Sequence, residues 1–508
     1  MIGLVKSYAH DHGGRVSLLF LLFLLALYNF ITVGFTTFAI ICIIPLFILG
    51  IYVAFRFPHS VLWTLVIFNY SIHFLNKNDW ILPAGIPISI YNEILEIILI
   101  SITLIDIRKE SHWGRAANMM LFAVMLWTLL CTIEVFNDTC GLGINVGGWF
   151  SGIRLMAFQL VYFVIIFALY IDSPKSLMVY LRIWAGLALF SVFWVWKQQN
   201  IGFTVAEQGW LNAEGARTHL VNGITRYFST FNDAANYGCN SAATSVAFFI
   251  FALTSKIKID RILFLITGMA VLWGMFASGT RVAIACFFAG LIVYIFLSKS
   301  VKLAIPIILF GLTALFLIAF TNIGQGNSQI RRMRSAFNKN DASANVRDIN
   351  KATIAKYLKD APWGIGLGVG NGDVPARNKY VVMSYIAPDS EYVFVWIHTG
   401  RIGLTIFLIS MFIMFVGACW IVLFRLKNKT LVGIGAGLSC AFAAIQLGAY
   451  GNQVLYQYPN GLIFFGGLAI VYVLPYLEKD WEAYEQTRLE EQEEKKRLKL
   501  EKKKASRV

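Results

Sequence analysis

The chain carries two apolar runs with almost no break between them, RILFLITGMAVLWGMFAS at residues 261–278 and RVAIACFFAGLIVYIFLS at residues 281–298. Each run is about as long as the roughly 20 residues that a helix needs to cross a bilayer. Because lipid offers the backbone no hydrogen-bond partners, such runs are expected to be α-helices. The pair therefore predicts two membrane-spanning helices joined by a very tight turn.

Similar runs recur over most of the 508 residues, of which 58% are hydrophobic and only 14% are charged. Soluble domains have roughly half apolar and a quarter charged residues. We therefore predict an all-α fold, a polytopic transmembrane helical bundle of about 12–14 spans with a large outer loop between late helices. The predicted spans are residues 17–34, 36–55, 60–76, 90–107, 116–134, 152–171, 177–197, 234–254, 261–278, 281–298, 302–321, 403–424, 431–450 and 460–477.

Basic residues fall in alternate loops, from Arg56 through Lys256 and Lys427 to the basic tail. Cytoplasmic loops are enriched in Lys and Arg, so both termini are predicted to be cytoplasmic. This placement also accounts for the net charge of +15 without a nucleic-acid partner.

The predicted organisation follows from these spans. Transmembrane helices 1–11 occupy residues 1–321, a large loop on the outer side occupies residues 322–402, helices 12–14 occupy residues 403–477, and a charged cytoplasmic tail occupies residues 478–508. The tail is interpreted as a solvated, frayed helix whose lysines lie near anionic lipid headgroups. The scattered cysteines have no spacing typical of a metal site, so no metal is expected.

Arginines on the outer side are the candidate binding residues. Charged residues at membrane helix ends are costly unless they contact water or a partner, and arginine binds phosphate through two parallel hydrogen bonds. An anionic ligand is therefore expected, with local ion pairs and snorkelling to headgroups as the alternatives. The candidates are Arg154, Arg226, Arg281, Arg331 and Arg347.

The longest loop has a recognisable internal order. Residues 341–359 have the pattern of an amphipathic helix, and Pro362 follows them. The next stretch, WGIGLGVGNG at residues 363–372, allows tight turns but lacks the Gly-Lys-Ser/Thr of a phosphate loop. In the second outer loop, Asn232 or Asp233 is predicted to cap the following helix.

Five features in this order resemble the O-antigen ligase and O-antigen polymerase family of bacterial envelope glycan enzymes. The resemblance covers roughly residues 150–450. It rests on Arg226–Asn236 before a helix, the Ser278–Arg281 junction, the long loop with Arg347, the Pro362–Gly368 turn and the segment Asp389–Leu404.

The resemblance implies a membrane-embedded, metal-independent glycosyltransferase of the C type without a cofactor. Its donor would be a glycan linked to undecaprenyl diphosphate, and its acceptor a second lipid-linked glycan or lipid A–core. The active site would face the periplasm from the bacterial inner membrane, among membrane lipids. Loop arginines would hold the diphosphate, as the residue types also favour.

The acceptor hydroxyl requires a general base. Ahead of the Gly400-x-x-Gly403 step, this chain has Asp389 where family ligases commonly have a histidine. Asp389, Glu391 and His398 are therefore the candidate bases, and the departure favours a polymerase over a ligase. The alternative from another class is a flippase or transporter of lipid-linked sugars, which usually shows two similar halves that this sequence lacks.

Overall fold

The computed structural model describes residues 48–77, 89–105, 112–221, 223–298, 328–334, 342–370, 372–386 and 388–505, with a few further residues between 17 and 32 and between 302 and 326. The predicted spans at 17–34, 36–55 and 302–321 lie largely outside these residues.

The described part of the chain is almost entirely helical. A two-stranded antiparallel sheet, β1 (Leu220–Val221) and β2 (Ile224–Thr225), interrupts the helices once. The main helices are α1 (Ile48–Arg56), α2 (Pro58–Lys77), α3 (Ser89–Ile105), α4 (Met119–Ile133), α5 (Val146–Tyr170), α6 (Pro174–Asn200), α7 (Val205–Trp210), α8 (Ala234–Thr254), α9 (Lys258–Ala277), α10 (Arg281–Ser298), α11 (Ser328–Arg334), α12 (Ala342–Leu358), α13 (Glu391–Trp420), α14 (Lys429–Gly451) and α15 (Gly466–Ala505). Shorter helices lie at Trp113–Ala116, Ala216–His219 and Val381–Tyr385, with a 3₁₀ turn at Glu134–Phe136 and π-helical segments at Arg154–Phe158, Leu211–Gly215, Ile421–Arg425 and Gly461–Phe465.

Nine helices in the described ranges are long and apolar enough to cross a membrane, or ten if the bent pair α1–α2 is one span. The predicted class, an all-α polytopic membrane protein, is confirmed. Two spans begin earlier than the sequence predicted: α5 at Val146 rather than at 152, and α13 at Glu391 rather than at 403. In α5 glycine-containing residues lower the local hydropathy without ending the helix. In α13 the backbone is kinked at Gly400, whose φ of +64° and ψ of −166° are not helical, so the apolar part of α13 begins close to where the sequence predicted.

Helix α8 is the centre of the bundle, and it packs against α9, α10 and α14. Its sequence, AANYGCNSAATSVAFFIFALT, is rich in small residues, and most of its side chains are buried. Glycines on the neighbouring helices face it closely: Gly290 meets Val246 and Gly437 meets Phe251. Small residues let membrane helices approach until their backbones pack, so the sequence of α8 determines its central position.

The two ends of the bundle are called the loop face and the tail face. The loop face carries residues 201–233, α11, α12 and the 451–460 loop. The tail face carries the short connections at 171–173, 255–257 and 426–428 and the extension of α15. On the loop face, α12 confirms the predicted amphipathic helix, and it packs through Ile354 and Leu358 near Ile397 of α13.

The tail helix departs from its predicted solvated state over its first turns. Trp481 and Glu485 of α15 are buried, and Glu485 accepts hydrogen bonds from Lys256 and Thr430. Glu478 accepts from the backbone amides of Lys427 and Asn428. Because α15 continues beyond its membrane span as one helix, these turns stay beside the ends of neighbouring helices and close the tail face.

Candidate active site

Arginines from separate segments come together on the loop face. Arg226 follows β2, Arg281 is the first residue of α10, and Arg332 lies on α11. The Arg226 guanidinium donates to the carbonyl oxygen of Thr218 at 2.9 Å and to the Thr280 hydroxyl at 3.1 Å. Arg332 Nε donates to the carbonyl oxygen of Gly279 at 3.0 Å, at the α9–α10 turn. We call Arg226, Arg281 and Arg332 the arginine cluster.

The pKa of Arg226 shows that the three guanidinium groups lie close together. The pKa of Arg226 is lowered to about 10, chiefly by burial and then by the charges of Arg332 and Arg281, while Asp233 opposes them. Arg226 is still charged at neutral pH. The buried Arg226 Nε has no hydrogen-bond partner among the described residues. The cluster therefore holds positive charge in a partly desolvated place, where it attracts anions strongly.

The arginine cluster is held in place by the first residues of helices α8 and α10. Asp233 caps α8 as predicted, accepting from the amides of Ala235 at 2.7 Å and Asn236 at 2.9 Å. Thr280 donates to the carbonyl oxygen of Ala234 at 2.7 Å, which ties the α9–α10 turn to the start of α8. The tight turn seen in the sequence thus places Arg281 beside Arg226.

His219 stabilises the same region through two hydrogen bonds. Its Nε2 accepts from the Ala234 amide at 3.1 Å, so its proton is on Nδ1, which donates to the Gly215 carbonyl oxygen at 3.1 Å. Burial, with the nearby charges of Arg226 and Lys77, lowers the pKa of His219 to about 3. This histidine is neutral and structural at physiological pH.

The other predicted arginines lie elsewhere. Arg331 is exposed and donates to the carbonyl oxygen of Gln325 at 2.6 Å, so its neighbour Arg332 takes the place in the cluster. Arg154 lies 3.4 Å from the Glu93 carboxylate. Arg347 lies on α12, one turn before Lys351, whose ammonium sits 4.9 Å from the Tyr450 ring. No described contact joins Arg347 to the cluster.

A cavity of about 530 Å³ opens between α5, α13 and the glycine-rich turn. Glu391 and His398 of α13 line it, with Tyr456 and Gln457 from the loop that precedes the last span. Asp389 is exposed and is not among the lining residues. Two of the three predicted base candidates therefore share one cavity.

The glycines of the turn are required by close backbone approach. Ile365 and Gly366 donate to the carbonyl oxygens of Ile397 and His398 at 2.9 and 3.0 Å, which docks the turn on α13. A Cβ on Gly368, whose φ is +74°, would collide with the carbonyl oxygen of Gly148 on α5. The turn is thus wedged between two helices, and it forms one wall of the cavity.

His398 and Glu391, which both line the cavity, differ in the atoms that their hydrogen bonds leave available to a ligand. His398 Nδ1 lies 3.0 Å from the Gly366 carbonyl oxygen, which can only accept, so Nδ1 is the donor and the basic lone pair is on Nε2. Glu391 is buried, and its carboxylate accepts from the Leu455 amide at 3.0 Å. His398 therefore has a basic atom to offer a ligand, whereas Glu391 holds the loop.

The loop at residues 452–460 joins these features. Its Gln457 accepts from the Asn236 amide group at 3.1 Å, next to the cap of α8, and its Tyr458 accepts from Gln159 of α5 at 2.9 Å. Asn460 bridges Asn236 and Asn240. We call residues 452–460 the hub loop. It links the cavity to the segment that leads to Arg226.

Sequence reasoning missed Arg332, the hub loop and Glu93. Arg332 was one of several basic residues in the long loop, and α11 is too short for its apolar pattern to tell which arginine faces the bundle. The polar residues of the hub loop did carry a signal, since Asn452, Gln453, Gln457 and Asn460 are concentrated between two apolar spans. Glu93 and Glu96 inside an apolar run were a further signal.

Together the fold and the site define a polytopic helical membrane protein with an arginine cluster and a polar-lined cavity at one end. Residues 242–408 match the family model described as O-antigen ligase. This match, over about a third of the chain, confirms the resemblance to the O-antigen ligase and polymerase family. No curated protein gives a significant match to the chain.

Proposed function

We propose that the protein is a metal-independent glycosyltransferase that moves a glycan from undecaprenyl diphosphate to a sugar hydroxyl. The acceptor is a second lipid-linked glycan in a polymerase, or lipid A–core in a ligase. The reaction takes place at the periplasmic side of the bacterial inner membrane, where the loop face lies if both termini are cytoplasmic. The family match supports glycan transfer in general terms.

The arginine cluster is the observation that carries this proposal. Like charges repel, and partial burial strengthens that repulsion. Arg226 is held by the carbonyl oxygen of Thr218 at 2.9 Å and the hydroxyl of Thr280 at 3.1 Å, neutral acceptors that orient its guanidinium without neutralising it. A diphosphate carries enough negative charge to balance several guanidinium groups, and their planar forks match its oxygens.

The reaction balances with the residues of the loop face. The acceptor oxygen attacks the anomeric carbon of the donor while the bond from that carbon to the diphosphate oxygen breaks. Undecaprenyl diphosphate leaves with the bonding electron pair, and the arginine cluster stabilises the charge that develops on it. The acceptor proton passes to the general base.

His398 is the base that the geometry supports best among Asp389, Glu391 and His398. Its Nδ1 is committed to the Gly366 carbonyl oxygen, so Nε2 can accept a proton in the cavity. Replacing His398 with Gln should lower kcat by about 10²–10⁴. Replacing Glu391 with Gln, which can still accept from Leu455, should lower kcat much less, and equal losses would contradict the assignment to His398.

Arg347 is proposed as a further diphosphate ligand on the strength of the family resemblance. Arg154 is assigned to its carboxylate partner Glu93, and Arg331 to its own turn, so neither is proposed to bind the diphosphate. Asp389 at the position of the ligase histidine favours the polymerase form of the reaction.

The test is transfer by purified protein in detergent, with glycan linked to undecaprenyl diphosphate as donor. Detergent removes the two compartments that a flippase needs, so transfer by the wild type supports an enzyme. Arg226→Ala should lower turnover by at least about 100-fold, with normal protein levels. Arg331→Ala, which removes an exposed arginine from the same face, should keep wild-type turnover. A wild type that binds the donor and never transfers it would contradict the proposal.

A further inference from the structure

Helix α3 carries polar side chains in an otherwise apolar sequence. Its sequence is SIYNEILEIILISITLI, and Asn92 and Glu96 are completely buried. The Glu93 side chain is 12% exposed, and it lies 3.4 Å from Arg154. Buried carboxylates are costly, so the fold by itself gives no reason to have two of them one turn apart.

These residues belong to a connected polar cluster near the loop face. Asn69 of α2 donates to Asn92 at 2.9 Å, and Asn92 donates to Glu96. Gln159 of α5 donates to the Tyr458 hydroxyl at 2.9 Å, and the Tyr458 ring lies 6.0 Å from that of His73 on α2. We call Asn69, His73, Asn92, Glu93, Glu96, Arg154, Gln159 and Tyr458 the α3 polar cluster.

Several buried atoms of this cluster have unused hydrogen-bonding capacity. Glu96 Oε2, Glu93 Oε1, Arg154 Nε and His73 Nε2 have no hydrogen-bond partner among the described residues. The Arg154–Glu93 contact is close enough for an ion pair but is not aligned as a hydrogen bond. An unsatisfied buried polar atom costs about 1–3 kcal/mol, so the cluster is better suited to a bound polar ligand than to an empty state.

The charge of the cluster indicates the class of ligand. Two carboxylates face one guanidinium, which disfavours a phosphate. Carboxylates accept hydrogen bonds from hydroxyl groups, and Arg154 can donate a hydrogen bond to a hydroxyl oxygen. The Tyr458 ring offers an apolar face to a sugar. Vicinal hydroxyls on a sugar ring match this mixture of acceptors, a donor and an aromatic face.

We propose that the α3 polar cluster binds a sugar of the lipid-linked glycan through Glu93 and Arg154, whose side chains are 12% and 20% exposed, whereas Glu96 is completely buried and does not contact the ligand. The proposal rests on the proposed function, and it divides the loop face into two subsites. The arginine cluster holds the anionic diphosphate, and the α3 polar cluster, joined to it through the hub loop, holds a neutral sugar. Either the donor glycan or the acceptor glycan can supply that sugar.

Binding with two probes tests this division: undecaprenyl diphosphate carrying the glycan, and undecaprenyl diphosphate alone. The wild type should bind the glycan-bearing lipid more tightly. Glu93→Gln should reduce that preference at least about 10-fold, as expected for one lost hydrogen bond to a hydroxyl, and leave the sugarless lipid unaffected. If the preference survives but the acceptor KM rises at least about 10-fold at saturating donor, the sugar belongs to the acceptor.

Glu134→Gln is the matched control. Glu134 is also a buried carboxylate with an unsatisfied oxygen, at the end of α4, but it bonds to Asn137 and lies outside the cluster. It should change neither binding nor KM. The inference is overturned if Glu93→Gln leaves both the preference and the acceptor KM unchanged, or weakens binding of the two lipids equally. Failure of the wild type to bind the sugarless lipid would instead overturn the diphosphate proposal.

Discussion

On the tail face, basic side chains meet carboxylates. Arg182 Nη2 lies 2.8 Å from Asp260 Oδ1, and Lys256 Nζ lies 2.7 Å from Glu485 Oε2. On the loop face, Arg226 instead donates to a carbonyl oxygen and a hydroxyl, with Arg281 and Arg332 close enough to lower its pKa. The tail face neutralises its cations within the fold, whereas the loop face orients Arg226 and leaves its charge available to a ligand.

This difference gives a physical criterion for function. Ion pairs that join helix ends stabilise the bundle, and replacing one partner leaves the other uncompensated. A buried cation oriented by neutral acceptors does little for stability, and it is costly among like charges. Activity and stability should therefore respond to mutation in opposite ways at the two faces.

The largest expected effect is that Arg226→Ala and Arg182→Ala change transfer and stability in opposite ways. Arg226→Ala should stop transfer while the free energy of unfolding falls by no more than about 1 kcal/mol, because relief of repulsion offsets the two lost hydrogen bonds. Arg182→Ala should lower stability by about 1–3 kcal/mol, since it leaves the Asp260 carboxylate buried without its partner, and keep turnover per folded molecule. Thermal unfolding in detergent, measured beside transfer, checks both. Loss of turnover in a fully stable Arg182→Ala protein would contradict the proposed contrast between the tail face and the loop face.

Arg347→Ala should have a smaller but still large effect. If α12 presents Arg347 to the diphosphate, transfer should fall by about 10- to 100-fold with unchanged stability, as for loss of one charge-assisted contact. Lys356→Ala on the same helix is the control and should be silent. Wild-type transfer by Arg347→Ala would remove this residue from the site.

The sequence predicted the parts of this account that depend on local pattern. Hydropathy located the spans, the Ser278–Arg281 junction placed Arg281 at a tight turn, and Asp233 was recognisable as a helix cap. Contacts between distant segments could not be predicted in this way. Gln457 contacts Asn236 across 221 positions of the sequence, and the choice between Arg331 and Arg332 depends on how α11 docks. Buried turns of the tail were missed because their charges are typical of exposed helices.

On the tail face, Glu485→Gln should weaken the contacts of α15 with the ends of the neighbouring helices. Lys256 would lose its ionic partner, and because that lysine is half-exposed the expected loss of stability is at most about 1 kcal/mol. Transfer should be unchanged. The measurement is thermal unfolding at low and high salt: the difference between variant and wild type should shrink as salt screens the pair.

The smallest expected effect is a pH dependence at the loop face. Because the folded pKa of His219 is about 3 and its ordinary value is about 6.5, the opened loop takes up a proton first as the pH falls. The stability that His219 contributes should be complete above pH ~6.5 and should be lost progressively below it. Hydrogen exchange at the Ala234 amide, corrected for its intrinsic pH dependence, should show more opening at pH 5 than at pH 7.5. His219→Gln should abolish that difference, and equal slopes in both proteins would contradict the assignment.

The central claim is that the arginine cluster binds the diphosphate, and two adjacent arginines test it most directly. Binding of undecaprenyl diphosphate is measured for Arg332→Ala and Arg331→Ala in the same detergent. The account predicts at least a 10-fold weaker affinity for Arg332→Ala, roughly the value of one charge-assisted hydrogen bond, and wild-type affinity for Arg331→Ala. Equal affinities for the two variants, or weaker binding by Arg331→Ala alone, would contradict it.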